Sequence, residues 1–115
     1  MSKNQVSAPD VSGFLAKAKN LIAQERYTFI PRGKNLQALA DRGMTLADAK
    51  GEILGHLVKD YYKGPKEDFD STQPGDIWEF KKDIDGEKFY VKLKIQNCNG
   101  EDILKCLSFH EDDYS

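Results

Sequence analysis

The sequence predicts an α+β domain in which a small antiparallel β-sheet carries about three helices on one face. Two observations predict this class. Apolar residues recur at helical spacing through most of the first half of the chain, and alternating β-type segments fill the second half. The sheet is expected to contain a C-terminal three-strand meander plus one strand from the N-terminal half.

The first two elements lie between residues 10 and 30. Apolar side chains recur every three or four residues from Asp10 to about Gln24, which predicts a helix capped by Asp10 or Ser12. The β-branched and aromatic run 27–30 predicts a short strand that Pro31 stops. Residues 1–9 are polar and are expected to form a disordered tail.

Two shorter helices are expected next. A basic turn at 31–34 precedes apolar spacing that predicts a helix, and Gly43 can terminate it. Thr45 and Asp48 then match a capping box, and an apolar stripe that includes Leu57 predicts a helix ending near Lys59. The following residues, 60–73, have no sustained period and are expected to form an exposed connecting loop with a short extended piece at 60–63.

Three β-type segments follow, at 77–84, 88–96 and 103–110. Asp85-Gly86 predicts a two-residue type I′ turn between the first two, because both central residues of that turn need positive φ. This register gives an apolar inner face on which three pairs stand opposite each other: Trp78 with Leu93, Phe80 with Val91, and Lys82 with Phe89. It also gives a polar outer face, with Glu79 opposite Lys92, Lys81 opposite Tyr90, and Lys94 beyond.

The second hairpin leaves two registers open, since residues 97–102 can close through Asn99-Gly100 or through a bulged loop. A bulged register turns Leu107 and Phe109 inward, beside Val91 and Phe89, and is the one we favour. It places Ser108 and His110 on the Tyr90 face, at the cost of Lys105 on the inner row. An unbulged register sends His110 inward instead.

Composition limits the class of protein. The chain has 115 residues with a net charge of −2, which fits one domain at residues 10–115 after the tail at 1–9. Charge is uneven, since residues 1–63 carry net +4 and residues 64–115 net −6. A polyanion site should therefore draw on the first half. Two cysteines and no apolar span favour a reduced, cytoplasmic protein without a membrane segment or cofactor.

The polar sheet face is where chemistry is expected, because no nucleotide-binding, zinc-protease or nucleophile-elbow motif is present. Cutting RNA without a metal needs a group to take the 2′-OH proton, a group to protonate the leaving 5′ oxygen, and cations for the phosphate. Side chains on this face supply all three: Glu79, Tyr90, Lys92, Lys94 and His110. Arg32 and Lys34 in the basic turn, with Lys81, are further candidate phosphate contacts.

Other polar and aromatic residues are expected to have structural roles. The aromatic residues of the inner face, Trp78 among them, are predicted to be core rather than base-stacking platforms. His56 is expected to be exposed on the polar side of its helix. The acids Glu67, Asp68 and Asp70 would suit a carboxylate-metal nuclease, but three acids in a charged loop are more often solvated.

The order of the motifs resembles the MqsR-type toxins, the motility quorum-sensing regulator family of bacterial toxin-antitoxin pairs. The resemblance covers residues 14–112 and includes the FIPRGKN, DYYKGP, DIWEF, FYVKLKI and CLSFHED segments. It implies a RelE-like fold, metal-independent cleavage of messenger RNA, and neutralisation by a cognate antitoxin. The proposed catalytic set of the family falls on Lys63, Glu79, Tyr90 and His110, although its best-known pattern has Gln at the Glu79 position and Lys at the His110 position.

Two functional hypotheses follow. In the first, the chain is an endoribonuclease toxin in which His110 is general acid or base and Tyr90 orients the phosphate or shares proton transfer. Lys63 and Lys92 would stabilise charge on phosphorus, and Glu79 would be either a base partner of His110 or a simple ion pair with Lys92. In the second, the acidic C-terminal half indicates a noncatalytic module of the same fold that binds a protein partner.

Overall fold

The computed structural model describes residues 8–56, 58–67 and 75–111, and confirms an α+β fold. Its elements in chain order are α1 (Ala8–Ala23), β1 (Tyr27–Phe29), α2 (Gly33–Arg42), α3 (Leu46–Leu54), a 3₁₀ turn (Val58–Asp60), β2 (Tyr61–Glu67), β3 (Asp76–Ile84), β4 (Glu87–Cys98) and β5 (Glu101–Glu111). The five strands form one sheet in the order β1-β5-β4-β3-β2. The sheet is mixed rather than purely antiparallel, because β1 pairs parallel with β5.

The helices cover the inner face of the sheet. Phe80, Phe89 and Phe109 are fully buried there, and α1 contributes Phe14, whose ring stacks on Trp78 at 4.6 Å between centroids. The prediction that the inner-face aromatic residues belong to the core is confirmed. Helix α1 begins at Ala8, two residues before the predicted start, and residues 1–7 of the predicted tail lie outside the described part of the chain.

Strand β2 corrects the prediction of a connecting loop at 60–73: the extended piece expected at 60–63 continues as a strand to Glu67, and residues 68–73 of the predicted loop are not described. It pairs with β3 through two register shifts, so its sequence lacks the simple alternation that predicts a strand. Gly64 lies close to the backbone of β3. A Cβ at Gly64 would stand 2.5 Å from the Ile77 carbonyl oxygen, and its φ is 112°, so only glycine fits this approach.

Helix α3 is shorter than predicted. The Thr45–Asp48 capping box is present in both directions, but the helix ends at Leu54 rather than near Lys59. Beyond the Gly55 cap the chain turns His56 inward against Phe80, with ring centroids 5.1 Å apart. The prediction that His56 is exposed is therefore wrong, because the residue has left the helix that defined its polar side. Leu57 lies outside the described residues.

The β3–β4 hairpin has the predicted register. Trp78 faces Leu93, Glu79 faces Lys92 and Lys81 faces Tyr90, as the two-residue turn requires. The φ values are positive at both turn residues, 50° at Asp85 and 86° at Gly86, as the predicted type I′ turn requires.

The β4–β5 hairpin combines the two registers that the sequence left open. It closes through Asn99-Gly100, with Cys98 facing Glu101, and the bulge lies farther along the strand. Leu93 faces Cys106 but Lys92 faces Ser108, so Leu107 is the extra residue. As predicted, Ser108 and His110 lie on the Tyr90 face. Three details differ from the prediction. Phe109 faces Val91 rather than Phe89, and Leu107 is half-buried at the bulge rather than in the inner row. Lys105 faces Lys94 on the outer face rather than lying on the inner row.

Asn35 on α2 holds this bulge in place. Its Nδ2 donates to the carbonyls of Leu107, at 3.1 Å, and Ile30, at 3.0 Å, while its Oδ1 accepts from the amide of Phe109 at 3.0 Å. The side chain is 1% exposed, so water does not replace these partners.

Two simpler features complete the fold. Cys98 and Cys106 are both free thiols. Within the described ranges, none of the helices is both long and apolar enough to cross a membrane.

We predict that His56→Asn reduces the loss of stability between pH 6.5 and 4. Burial, followed by the charge of Lys82, lowers the pKa of His56 to about 4. The unfolded chain therefore takes up this proton first as pH falls, which costs the native state about 3 kcal/mol across the window. Asn retains a donor for the Glu52 carbonyl but does not titrate. Urea unfolding at several pH values measures the difference, and parallel pH profiles for the two proteins would contradict the prediction.

Candidate functional site

Four strands bring the sequence-predicted catalytic residues together on the outer face of the sheet. Lys63 of β2 faces Glu79 of β3, which in turn faces Lys92 of β4. Tyr90 of β4 faces His110 of β5. The register predicted from the first hairpin and the bulge in the second are together responsible for this grouping. We call these residues, with Lys66 of β2, the outer-face cluster.

Glu79 is the buried anion of the cluster. Its side chain is fully buried; Oε1 accepts a short hydrogen bond from the Tyr90 hydroxyl, and Oε2 lies 2.7 Å from the Lys66 ammonium. Burial by itself raises the pKa of this carboxyl, but Lys66, Tyr90 and the charge of Lys63 oppose it, and the net effect is a lowered pKa. Glu79 is therefore ionised at neutral pH.

The partners of Glu79 differ from both predicted roles. Among the side chains that the structure describes, its carboxylate contacts Tyr90 and Lys66 rather than His110 or Lys92. Lys66 is the residue that sequence analysis missed. It lies in the segment predicted as loop, so no alternation indicated on which face it stands.

The Tyr90 ring lies close to two other polar groups of the cluster, His110 and Lys92. The His110 ring is 5.7 Å from the Tyr90 ring, centroid to centroid, and the Lys92 ammonium is 5.5 Å from the same centroid. A phosphodiester bound beside the Tyr90 ring would therefore be near both an imidazole and an ammonium.

His110 is held in one orientation by its own strand. Its Nδ1 lies 2.9 Å from the carbonyl oxygen of Glu111. A carbonyl only accepts hydrogen bonds, so Nδ1 carries the proton in the neutral ring and Nε2 keeps its lone pair. The half-buried imidazole can therefore take a proton at Nε2.

The cations of the cluster affect one another. Burial lowers the pKa of Lys92, the charges of Lys66, Arg32 and Lys63 lower it further, and Glu79 opposes the shift. Arg32, at the start of α2, thus belongs to the electrostatic surroundings of the cluster, although it is distant in sequence. Mutual repulsion of this kind is relieved by a bound anion.

The remaining candidate phosphate contacts are placed differently. Lys34 is exposed in the first turn of α2, and the Lys81 ammonium lies 4.1 Å from the centroid of the exposed Tyr62 ring. Lys94 is 1% exposed and therefore does not present its ammonium to a ligand at the surface, which corrects the prediction that it contacts RNA. The alternation of the sequence correctly predicted that Lys94 lies on the outer face, but it did not indicate that the side chain is buried there.

The carboxylates of the alternative metal site are only partly described. Glu67 ends β2 and is exposed, whereas Asp68 and Asp70 lie outside the described residues. Within residues 8–56, 58–67 and 75–111, no group of three His, Cys, Asp or Glu side chains is arranged to hold a metal ion.

Comparison with known proteins adds no relative. No protein family, curated protein or solved structure matches the chain. The argument for function therefore depends on the geometry of the outer-face cluster.

We predict that Glu79→Gln lowers stability at neutral pH and that the deficit shrinks as pH falls below about 4.5. A carboxyl with a lowered folded-state pKa stabilises the native state above its unfolded pKa and loses this contribution as pH falls through the folded one. Gln retains an acceptor for Tyr90 but not the charge that Lys66 contacts. Denaturant unfolding at pH 7 and pH 3.5 measures the change, with Asp83→Asn as an exposed control. An equal deficit at both pH values would show that the charge of Glu79 is not responsible.

Proposed function

We propose that the chain is a metal-independent endoribonuclease and that the outer-face cluster is its active site. The observation that carries the proposal is the grouping at Tyr90, whose ring lies near both the His110 imidazole and the Lys92 ammonium and whose hydroxyl is hydrogen-bonded to an ionised Glu79. These groups match the requirements for transferring a phosphoryl group to the neighbouring 2′-OH: a base, a proton donor and cations.

The reaction begins at His110. Neutral His110 takes the 2′-OH proton at Nε2, and the 2′ oxygen attacks the adjacent phosphorus. The bond from phosphorus to the 5′ oxygen breaks, and that oxygen takes a proton from the Lys92 ammonium. Lys92 suits this role because its lowered pKa makes it a stronger acid than an ordinary lysine. The 2′-OH requirement restricts the substrate to RNA.

The other residues of the cluster orient and stabilise. Glu79 accepts a hydrogen bond from the single hydroxyl proton of Tyr90 and so fixes the phenol ring beside His110 and Lys92, and Lys66 neutralises the buried carboxylate so that the site is not repulsive to an anion. Lys63 and Arg32 add positive charge around the phosphate. The cluster thus concentrates cations on one face of a chain whose net charge is −2.

The biological role we propose is that of a toxin in a toxin-antitoxin pair. Its support is the resemblance of the FIPRGKN, DYYKGP, DIWEF and CLSFHED segments to MqsR-type toxins, together with the grouping of the corresponding residues in one site. A cognate antitoxin is the expected protein partner, and messenger RNA in the cytoplasm is the expected substrate.

We predict that His110→Gln reduces RNA cleavage by ~100-fold or more, because it removes the proton-accepting Nε2. The stability of the protein should change by less than ~1 kcal/mol. Cleavage of an end-labelled RNA in excess EDTA measures the first effect, and thermal unfolding measures the second. Lys88→Gln, near the β3–β4 turn, is the matched control and should cleave normally.

Two results would count against this assignment. Undiminished cleavage by His110→Gln would remove His110 from the reaction. A wild-type protein that cuts no RNA but binds the product of the adjacent gene tightly would favour the noncatalytic module.

We predict that Lys92→Arg moves the alkaline limb of the activity profile to higher pH and lowers the maximum rate. Cleavage needs a proton on residue 92. Because the pKa of Lys92 is lowered from the usual lysine value of 10.5, we expect the wild-type rate to decline with rising pH before pH 10.5 is reached. Arginine stays protonated throughout, so charge stabilisation persists, but it donates a proton poorly. Rates on an oligodeoxynucleotide with a single ribonucleotide, corrected for uncatalysed cleavage, give the profile. An unshifted limb would exclude Lys92 as the titrating acid.

A further inference from the structure

We propose that Asn35 is a positioning residue for His110, and that it acts by fixing the bulge at Leu107. The inference rests on the proposed function only for its consequence in RNA cleavage, because the effect of Asn35 on strand register can be measured without a substrate. Asn35 lies on α2, on the covered side of the sheet, and is outside the outer-face cluster.

The bulge decides on which face His110 lies. Before it, facing residues of β4 and β5 include Leu93 with Cys106; after it they include Tyr90 with His110. If β5 continued without the extra residue, His110 would face Phe89 and enter the inner face, since a one-residue slip moves every side chain to the opposite face. Active-site assembly therefore requires that the bulge form.

Asn35 supplies hydrogen-bond partners to the backbone at the bulge. The Leu107 carbonyl and the Phe109 amide flank the distortion, and the carboxamide of Asn35 pairs with both of them. Its second donor bond, to the Ile30 carbonyl, ties the same side chain to the segment between β1 and α2. Among side chains of similar size, only asparagine combines two N–H donors with a carbonyl acceptor. Aspartate has acceptors but no donor, and leucine has no polar group.

The burial of Phe109 also favours the bulged register, so a test must separate register from general packing. Deleting Leu107 does this. Without that residue, Cys106 and Ser108 become neighbours, and an uninterrupted ladder then gives Lys92 facing Ser108 and Tyr90 facing His110. The shortened strand therefore reaches the same Tyr90–His110 pairing without a bulge, and so without needing the hydrogen bonds of Asn35.

The experiment compares four proteins: wild type, Asn35→Leu, the Leu107 deletion, and the two changes combined. Nuclear Overhauser contacts between the Tyr90 and His110 rings report the register, and cleavage of labelled RNA reports function. We expect Asn35→Leu to lose the ring contacts and, by misplacing the base, on the order of 100-fold in cleavage. The deletion and the combined variant should both retain the ring contacts and cleave at similar rates. Gln37→Leu, an exposed change on α2, is the matched control.

The outcomes separate the two proposals. Ring contacts that persist in Asn35→Leu, or that stay lost in the combined variant, would overturn the positioning role. If Asn35→Leu does not fold alone, a folded combined variant with the ring contacts supports the proposal, and an unfolded one overturns it. If the ring contacts behave as expected but the wild type cuts no RNA, the positioning role stands and the proposed nuclease activity fails.

Discussion

The outer-face cluster depends on three hydrogen bonds made by one buried carboxamide. Asn35 contacts Ile30, Leu107 and Phe109, and so joins the start of α2 to the distorted part of β5. An unpaired buried backbone group costs about 1–3 kcal/mol, so these bonds favour the register in which the Leu107 carbonyl and the Phe109 amide face Asn35. One result is that Phe109 fills the core; another is that His110 reaches the opposite face.

The second constraint is electrostatic. A fully buried carboxylate is costly unless it is paired, and Glu79 is paired on both oxygens, by Tyr90 and by Lys66. The same pairing holds the Tyr90 hydroxyl in one position and gathers ammonium groups around it. A protein of slightly negative net charge can in this way present a local site for an anion, because the field near the site depends on the nearest groups more than on the total.

Much of the fold could be predicted because its signals are local. The Asp85-Gly86 turn and the alternation around it determine the β3–β4 register, and the Thr45–Asp48 box determines where α3 begins. The signal for strand β2 was limited to a short extended piece at 60–63, since Gly64 and two register shifts interrupt its pattern, and Lys66 was missed with the rest of the strand. The position of the bulge at Leu107 depends on Asn35, 72 residues away in the sequence, and the burial of His56 depends on where α3 ends. Neither can be obtained from neighbouring residues alone.

The register at the bulge in the unaltered protein is the most direct test of this account. In a spectrum of the wild type that resolves cross-strand contacts between backbone protons, Phe109 should pair with Val91 and Glu111 with Phe89. Contacts that pair Phe109 with Tyr90 and His110 with Phe89 would show an uninterrupted strand, place the imidazole in the core, and contradict the account.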